Sequence, residues 1–170
     1  MKSINTQRLN IRPLRLNDAE FILELFNTKD FIKFIGDKGI KTLESAKNYL
    51  IQGPIKMYKE LGIGLCLVEL KNDTTSLGIC GLIKRETLDD IDLGFGFLPK
   101  YYNKGFAYEA SKAILDSAKT KYDRLVAITN SNNLSSIKLL EKLGMSFEKN
   151  IEKLAENIDL RLYGINFNDN

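Results

Sequence analysis

Residues 97–110, FLPKYYNKGFAYEA, join the end of an apolar segment to the start of a helical one. Pro99 has no backbone N–H and therefore predicts the end of a β-strand. The first N–H groups of the following helix have no partner within it and lie at the positive end of its dipole, so the junction predicts an anion site. Gly105 allows a phosphate to approach the backbone closely, and Ala107 keeps the next turn uncrowded. An ordinary strand–helix turn has the same pattern, so this stretch alone leaves both interpretations open.

Residues 130–145, NSNNLSSIKLLEKLGM, form a second strand–helix junction. The pattern predicts the end of a strand, an N-cap, and an amphipathic helix over residues 134–143 that ends at Gly144. Taken alone, the run of Asn and Ser residues indicates helix capping rather than a ligand site.

The rest of the chain predicts an α+β fold, a mixed α/β arrangement with a central, mostly antiparallel mixed sheet flanked by helices. Alternation and apolar runs predict strands at residues 9–16, 63–70, 77–84, 91–98, 125–129, 147–148 and 158–167. Helices are predicted from an N-cap at Asn17, from Thr42 to a break at Gly53-Pro54, and over residues 107–120 and 134–143. The three central strands are expected to form an antiparallel meander, followed by one split parallel junction. No repeat or linker divides the chain, so we expect a single domain over residues 1–170.

The composition excludes several classes of function. The chain has 170 residues and no histidine, which excludes histidine triads, histidine metal ligands and histidine proton shuttles. A general base must therefore be Asp, Glu, Tyr, Lys, Cys or a water chain. The net charge of +3 is weak, and nucleic-acid binding, which normally needs a clustered basic face, is not expected.

The two cysteines, Cys66 and Cys80, lie in apolar runs without CxxC spacing. This predicts buried free thiols rather than a zinc site or a catalytic thiol, and free thiols favour a cytoplasmic location. The first residues lack the apolar stretch of a signal peptide, and no apolar run approaches the roughly 20 residues of a membrane span. We therefore expect neither a membrane nor a metal among the partners of this chain.

Taken together, four segments resemble the GNAT superfamily of N-acetyltransferases. The coenzyme A motif of that family, Q/R-x-x-G-x-G/A, is matched by Tyr102-Asn103-Lys104-Gly105-Phe106-Ala107, with Tyr102 at the Gln/Arg position. The later family segment, N-x-x-S-x-x-x-x-E-K-x-G-F, is matched by Asn133, Ser136, Glu141, Lys142, Gly144 and, in place of Phe, Met145. Residues 6–14 and 159–163 are similar to the RimJ/RimL branch, which includes ribosomal-protein N-terminal acetyltransferases. The resemblance covers about residues 6–167 and implies the GNAT-type acyl-CoA N-acyltransferase fold.

The resemblance implies that acetyl-CoA is the co-substrate. The pantetheine arm would lie against the backbone of Phe97 and Leu98, with the amide of Leu98 as donor to the oxyanion of the transition state. The pyrophosphate would bind the backbone amides of Asn103, Lys104, Gly105, Phe106 and Ala107. Asn133 would contact the pantetheine arm. Lys100 and Lys104 would add positive charge, unless both are simply solvated.

Two further residues are the candidates for acid–base catalysis. Asp92 occupies the place where many relatives carry Glu, and a carboxylate on an apolar strand needs solvent or a partner, so Asp92 is the expected general base. The alternative is a strand residue that faces solvent beside Asp89 and Asp90, with Glu86 or water as the base. Many GNAT enzymes use a Tyr as acid where this chain has Leu140, and Ser136 is the expected substitute unless it is only a helix hydroxyl.

The family function implied by the resemblance is acetyl transfer to the primary amine of a protein N-terminus or a small molecule, such as a polyamine or an aminoglycoside-like amine. Variable loops commonly build acceptor pockets, and residues 28–42 and 84–90 are the candidates. The alternative is a non-catalytic acyl-CoA-binding module on the same fold, which the departures at Tyr102 and Leu140 leave open. A monomer and a homodimer are both compatible with the sequence.

Overall fold

The computed structural model describes residues 2–153 and 158–168 of the chain. Its strands are β1 (Ile4–Asn5), β2 (Leu9–Pro13), β3 (Leu65–Leu70), β4 (Ser76–Lys84), β5 (Ile91–Phe97), β6 (Arg124–Asn130), β7 (Ser146–Lys153) and β8 (Ile158–Asn166). In this part of the chain they form one mixed sheet in the order β1-β2-β3-β4-β5-β6-β8-β7. The sheet confirms the predicted fold class.

The helices pack on both faces of the sheet. They are α1 (Ala19–Phe26), α2 (Lys29–Ile35), α3 (Leu43–Leu50), α4 (Lys56–Leu61), α5 (Phe106–Ala118) and α6 (Leu134–Lys142). Apolar residues of α1, α2 and α3 form a core around Leu67 and Ile79. Those of α5 and α6 form a second core, around Cys80 and Leu93, on the opposite face, because successive side chains of a strand alternate between faces. No helix that the structure describes is long and apolar enough to span a membrane.

The centre of the sheet contains the feature on which the site depends. Strands β2 to β5 pair consecutively and antiparallel, which confirms the predicted meander. The next junction, between β5 and β6, is parallel, and α5 provides the crossover that a parallel connection requires. Its ladder consists of one residue pair, Asp92 and Val126. This confirms the predicted split and leaves a gap beside the C-terminal half of β5.

The two cysteines face each other across β3 and β4, and both are buried thiols outside any disulfide, as predicted. Burial raises the pKa of Cys66 and of Cys80 to about 12, so neither thiol is an effective nucleophile at neutral pH. Within residues 2–153 and 158–168, no cluster of three or more His, Cys, Asp or Glu side chains is arranged to hold a metal ion.

The opening segment differs from its prediction at one cap. Strand β2 ends at Pro13, and a single 3-10 turn over Leu16–Asp18 precedes α1. Asp18, not Asn17, organises this turn: its carboxylate accepts from the backbone N–H of Arg15 at 2.6 Å and from both terminal nitrogens of Arg12 at 2.8 and 2.9 Å. The expected N-cap at Asn17 is therefore wrong. Arg12 of β2 pairs with the carboxylate of Asp18 and holds it in the turn. Spacing along the sequence does not reveal this pair.

The expected break at Gly53-Pro54 is also wrong. Residues Ile51–Ile55 form one π-helical turn that contains Pro54, and α4 continues directly from it. Proline lacks a donor and its ring clashes with the carbonyl of the preceding turn, but the wider π-turn accommodates both effects. The helical segment therefore continues to Leu61.

Two further elements have bounds that the sequence did not indicate. Residues 29–35, expected within a variable loop, form α2, and the hydroxyl of Thr28 accepts from the N–H of Phe31 as an N-cap. Strand β7 runs to Lys153, beyond the predicted residues 147–148. It lies at the edge of the sheet, where exposed positions take polar residues and weaken the apolar alternation that marks a strand.

A buried ion cluster attaches the opening segment to the sheet. Arg12 pairs with Asp18 and with Glu69 of β3, each at 2.8 Å, and the three side chains are largely buried. We predict that Arg12→Ala lowers the free energy of unfolding by about 3–5 kcal/mol, because two buried carboxylates lose their partner. Lys56→Ala is the control, since the Lys56–Glu60 pair is exposed and 3.9 Å apart. In urea unfolding, Lys56→Ala should lower the free energy of unfolding by less than about 0.5 kcal/mol. Equal losses in the two variants would contradict the prediction.

Candidate active site

A cavity of about 720 Å³ lies at the gap between β5 and β6. On one face of the sheet, α2 and α3 line it with residues that include Phe31 and Tyr49. From the other core, α6 contributes Asn133 and Ser136. Since α2 and α6 belong to the cores on opposite faces, the cavity passes through the sheet. Such a passage can admit two ligands from opposite faces.

Asp92 lies where the gap begins, and its side chain is only 1% exposed. Its Oδ2 accepts from Nε of Arg85 at 2.5 Å, and its Oδ1 accepts from the backbone N–H of Ile128 at 3.3 Å. In a continued parallel ladder, that N–H would donate to a backbone carbonyl of β5. The carboxylate thus replaces a ladder hydrogen bond at the point where the strands separate. This burial contradicts the alternative in which Asp92 faces solvent beside Asp89 and Asp90.

Opposing effects act on the pKa of Asp92. Burial, the larger effect, raises it above the ordinary 3.8, whereas the charge and hydrogen bond of Arg85 and the N–H of Ile128 lower it. The net direction is upward, which makes this carboxylate a stronger base than an exposed aspartate. Asp92 also lines the cavity, while Glu86, the alternative base, is exposed and lies outside its lining.

The backbone at the end of β5 departs from expectation at one amide. The N–H of Leu98 donates to the carbonyl of Leu77 at 2.9 Å, toward β4. An N–H has a single hydrogen, so this bond contradicts the role of oxyanion donor expected for Leu98. Amides of a strand point alternately to its two sides, so those of Phe95 and Phe97 point toward the gap.

The predicted phosphate site has the expected backbone. Helix α5 begins directly after Gly105, which has a left-handed backbone (φ 78°, ψ 1°), and Asn103 is left-handed as well (φ 58°). Among the described residues, no side chain caps this helix start. The first amides of α5, including those of Phe106 and Ala107, are therefore uncapped, as an anion site requires.

Arg8, which precedes β2, reaches the same loop. Its NH1 donates to the carbonyl of Lys104 at 3.0 Å, and its Nε pairs with Glu109 of α5 at 2.6 Å. The guanidinium also lies 4.5 Å from the centroid of the Phe106 ring. Arg8 thereby neutralises a carboxylate in the first turn of α5 and brings a positive charge to the loop. Sequence reasoning missed it, because 101 residues separate Arg8 from Glu109 and no local signal joins them.

The other side chains of the loop are exposed or neutral. The ammonium groups of Lys100 and Lys104 lie 5.3 and 5.6 Å from the centroid of the Tyr101 ring. Tyr102, at the Gln/Arg position of the motif, lies beside Asp30 of α2. Burial and this carboxylate raise the pKa of Tyr102 to about 12, so its side chain is a neutral phenol.

Helix α6 presents its polar N-terminus to the cavity. The side-chain oxygen of Asn133 accepts from the N–H of Ser136 at 3.1 Å, which makes Asn133 the N-cap. Both residues line the cavity, and Ser136 is 9% exposed. Leu140, at the position of the family tyrosine, is fully buried in the core and has no acid group.

A comparison with known families identifies the chain. Residues 8–146 match the acetyltransferase (GNAT) domain. The chain belongs to the GNAT acetyltransferase family. It is therefore an acetyl-CoA-dependent acetyltransferase, as the motifs imply. A relative, the uncharacterized N-acetyltransferase YnaD of Bacillus subtilis (strain 168), is 28% identical over 168 residues, which cover 95% of each protein.

Solved structures share the fold of this GNAT enzyme. A GNAT-family acetyltransferase from Bacillus anthracis has a TM-score of 0.81 at 26% identity, and the match covers 98% of this chain and 99% of that one. RimL, the ribosomal L7/L12 alpha-N-protein acetyltransferase, solved in complex with coenzyme A, has a TM-score of 0.85. That match covers 99% of this chain and 100% of RimL, but at 13% identity it shows the fold alone.

Both segments expected to build the acceptor pocket of this GNAT enzyme line the cavity. Residues 31–36 and Lys38 come from the first segment, and Arg85, Thr87 and Leu88 come from the second. Sequence reasoning did not single out Arg85, although a signal existed. Ile83 faces Asp92 across the β4–β5 hairpin, and side chains two residues apart share a face, so Arg85 was placed to reach the carboxylate.

The loop before α5 generates a testable prediction. Gly105→Val should weaken coenzyme A binding at least tenfold, because a branched side chain at φ 78° strains the backbone and crowds the phosphate approach. Gly62→Val is the matched control, since Gly62 has nearly the same backbone (φ 70°, ψ 8°) at the end of α4, outside the loop. Calorimetry should show that both variants remain folded and that only Gly105→Val loses affinity for coenzyme A, although its side chain also meets Arg8. Wild-type affinity in Gly105→Val would show that the phosphate site is assigned wrongly.

Proposed function

We propose that this enzyme transfers the acetyl group of acetyl-CoA to the primary amine of a small molecule or a protein N-terminus, with Asp92 as the general base. The observation that carries the proposal is the passage through the sheet, with a buried carboxylate in its wall where β5 and β6 separate. Acetyl-CoA can enter from the side of α5 and α6, and the acceptor amine can enter from the side of α2 and α3. The two substrates would then meet at Asp92.

The proposed acetyl-CoA site consists of residues that fit the chemistry of this co-substrate. Acetyl-CoA supplies an activated thioester on a long amide-containing arm that ends in phosphates. The uncapped amides of residues 103–107 would hold the pyrophosphate, supported by the charges of Arg8 and Lys104. The pantetheine arm would lie along the gap, toward which the amide of Phe97 points, and Asn133 lines the cavity.

The acceptor amine must lose a proton, because an alkylammonium has a pKa near 10. In the proposed step the amine nitrogen bonds to the acetyl carbon, the carbon–sulfur bond breaks, and the amine proton passes to Asp92, directly or through water. The raised pKa of Asp92 suits this role. The amides of Phe95 and Phe97 replace Leu98 as proposed donors to the oxygen that becomes negative. The hydroxyl of Ser136 would donate a proton to the leaving sulfur.

Two measurements together test the proposed function. At 100 times its dissociation constant, acetyl-CoA should stabilise the protein by about 2.7 kcal/mol, which raises the melting temperature by roughly 5–10 °C. An amine acceptor should then cause thiol release that EDTA does not abolish. Stabilisation without thiol release for any acceptor would favour the non-catalytic acyl-CoA-binding module, and the absence of both would contradict the proposal.

Substitutions of Asp92 and Ser136, the proposed base and acid, provide a stricter test. Asp92→Asn should lower turnover by roughly 10²–10⁴-fold with coenzyme A affinity preserved, and Ser136→Ala by a smaller factor. Their effects should be less than additive, because both serve one transition state. A base acts when deprotonated, so wild-type activity should rise with pH through a pKa above 3.8, and Asp92→Asn should lose that limb.

Asp90→Asn is the control for Asp92→Asn. Asp90 lies two residues earlier and pairs with Arg124 at 2.9 Å, away from the cavity lining. Its turnover and pH profile should match those of the wild type. An unchanged pH profile and turnover in Asp92→Asn would rule out Asp92 as the base.

A further inference from the structure

Among the described residues, the wall of the cavity carries more positive than negative charge. In the part of the chain that the structure describes, its charged lining residues are Lys33, Lys38, Arg85 and Asp92. The carboxylate of Asp92 already has Arg85 as a partner. A polyamine or an aminoglycoside carries several positive charges and needs several carboxylates nearby. This wall therefore disfavours both kinds of acceptor.

Arg85 retains donors for a ligand. Its Nε binds Asp92, and among the described residues no other group accepts a hydrogen bond from its guanidinium, so both terminal nitrogens remain. The side chain is 36% exposed and lines the cavity. A guanidinium binds a carboxylate through two parallel hydrogen bonds, so an anionic group on the acceptor would suit this position.

The Arg85–Asp92 pair therefore presents a cation and a base in direct contact, 2.5 Å apart. An α-amino acid carries its amino group and its carboxylate on one carbon. The amino group can face Asp92 while the carboxylate binds the terminal nitrogens of Arg85. A peptide N-terminus lacks this adjacent carboxylate, because its first carbonyl belongs to an amide.

Aromatic rings form the wall beside this pair. Phe26 and Phe31 stack with ring centroids 4.3 Å apart, and Tyr49 packs edge-on against Phe26 at 4.9 Å. All three line the cavity, together with the aliphatic residues Ile79 and Ile83. An apolar side chain of the acceptor would be removed from water against these residues.

We infer that the acceptor is a free α-amino acid with an apolar side chain, its amino group facing Asp92 and its carboxylate bound to Arg85. This inference rests on the proposed acetyl transfer and names its substrate class. The amine nitrogen bonds to the acetyl carbon, the carbon–sulfur bond breaks, the amine proton passes to Asp92, and coenzyme A leaves as the thiol once its sulfur is protonated. The product is an N-acetyl amino acid.

The test compares L-phenylalanine with L-phenylalaninamide, which differ in the carboxylate. Wild-type kcat/KM should favour the acid about ten- to a hundredfold, the range expected for a charge-assisted hydrogen bond. In Arg85→Gln the ratio should fall about ten- to a hundredfold from its wild-type value. Because Arg85 also contacts Asp92, both rates will drop, but the ratio cancels that common loss. Lys33→Gln, which removes another cation of the cavity wall, should change the ratio far less than Arg85→Gln.

The outcomes separate this inference from the function on which it rests. An acid-to-amide ratio that Arg85→Gln leaves unchanged, or that Lys33→Gln lowers more, would overturn the inference. Acetylation of spermidine or of a peptide N-terminus in preference to L-phenylalanine would also overturn it, while the proposed acetyl transfer would stand. If acetyl-CoA neither stabilises the protein nor releases thiol with any of these acceptors, the proposed function fails as well.

Discussion

The structure depends on one interrupted ladder. Strands β5 and β6 share a single parallel pair, and at the next step the carboxylate of Asp92 takes the backbone N–H of Ile128 that a β5 carbonyl would otherwise accept. From that point the strands separate, because no further backbone bonds hold them together. The separation opens the sheet between its two cores, and the cavity occupies the opening. A continuous sheet would have kept ligands on its opposite faces apart.

A buried carboxylate is stable here because its partners are fixed. Removing a charge from water is costly unless it is paired and hydrogen-bonded, and Asp92 has the guanidinium of Arg85 and one backbone donor. The compensation is incomplete, since burial still raises its pKa. That imbalance favours proton uptake by Asp92, and Arg85, which also lines the cavity, moderates it. The same ion pair thus connects the stability of the gap with its proposed chemistry.

The two faces of the sheet provide different environments for the two proposed ligands. Near α5, the backbone conformations of Asn103 and Gly105 and the guanidinium of Arg8 create a polar, cationic loop suited to phosphates. On the face of α2 and α3, the stacked rings of Phe26 and Phe31 create an apolar wall. Ion pairs hold both in place, since the buried Arg12 anchors the segment before α1 and Glu109 anchors the exposed Arg8.

Features determined by neighbouring residues could be predicted from the sequence. Alternation identified the meander, Pro99 and Gly105 marked the junction before α5, and the motifs around Gly105 and Ser136 identified the family. The tertiary structure decided which groups become partners across long separations. It joined Arg8 to Glu109, directed the amide of Leu98 to Leu77, and buried Asp92 against Arg85. A spacing rule describes geometry along one element, whereas each of these hydrogen bonds forms between segments that come together only when the sheet assembles.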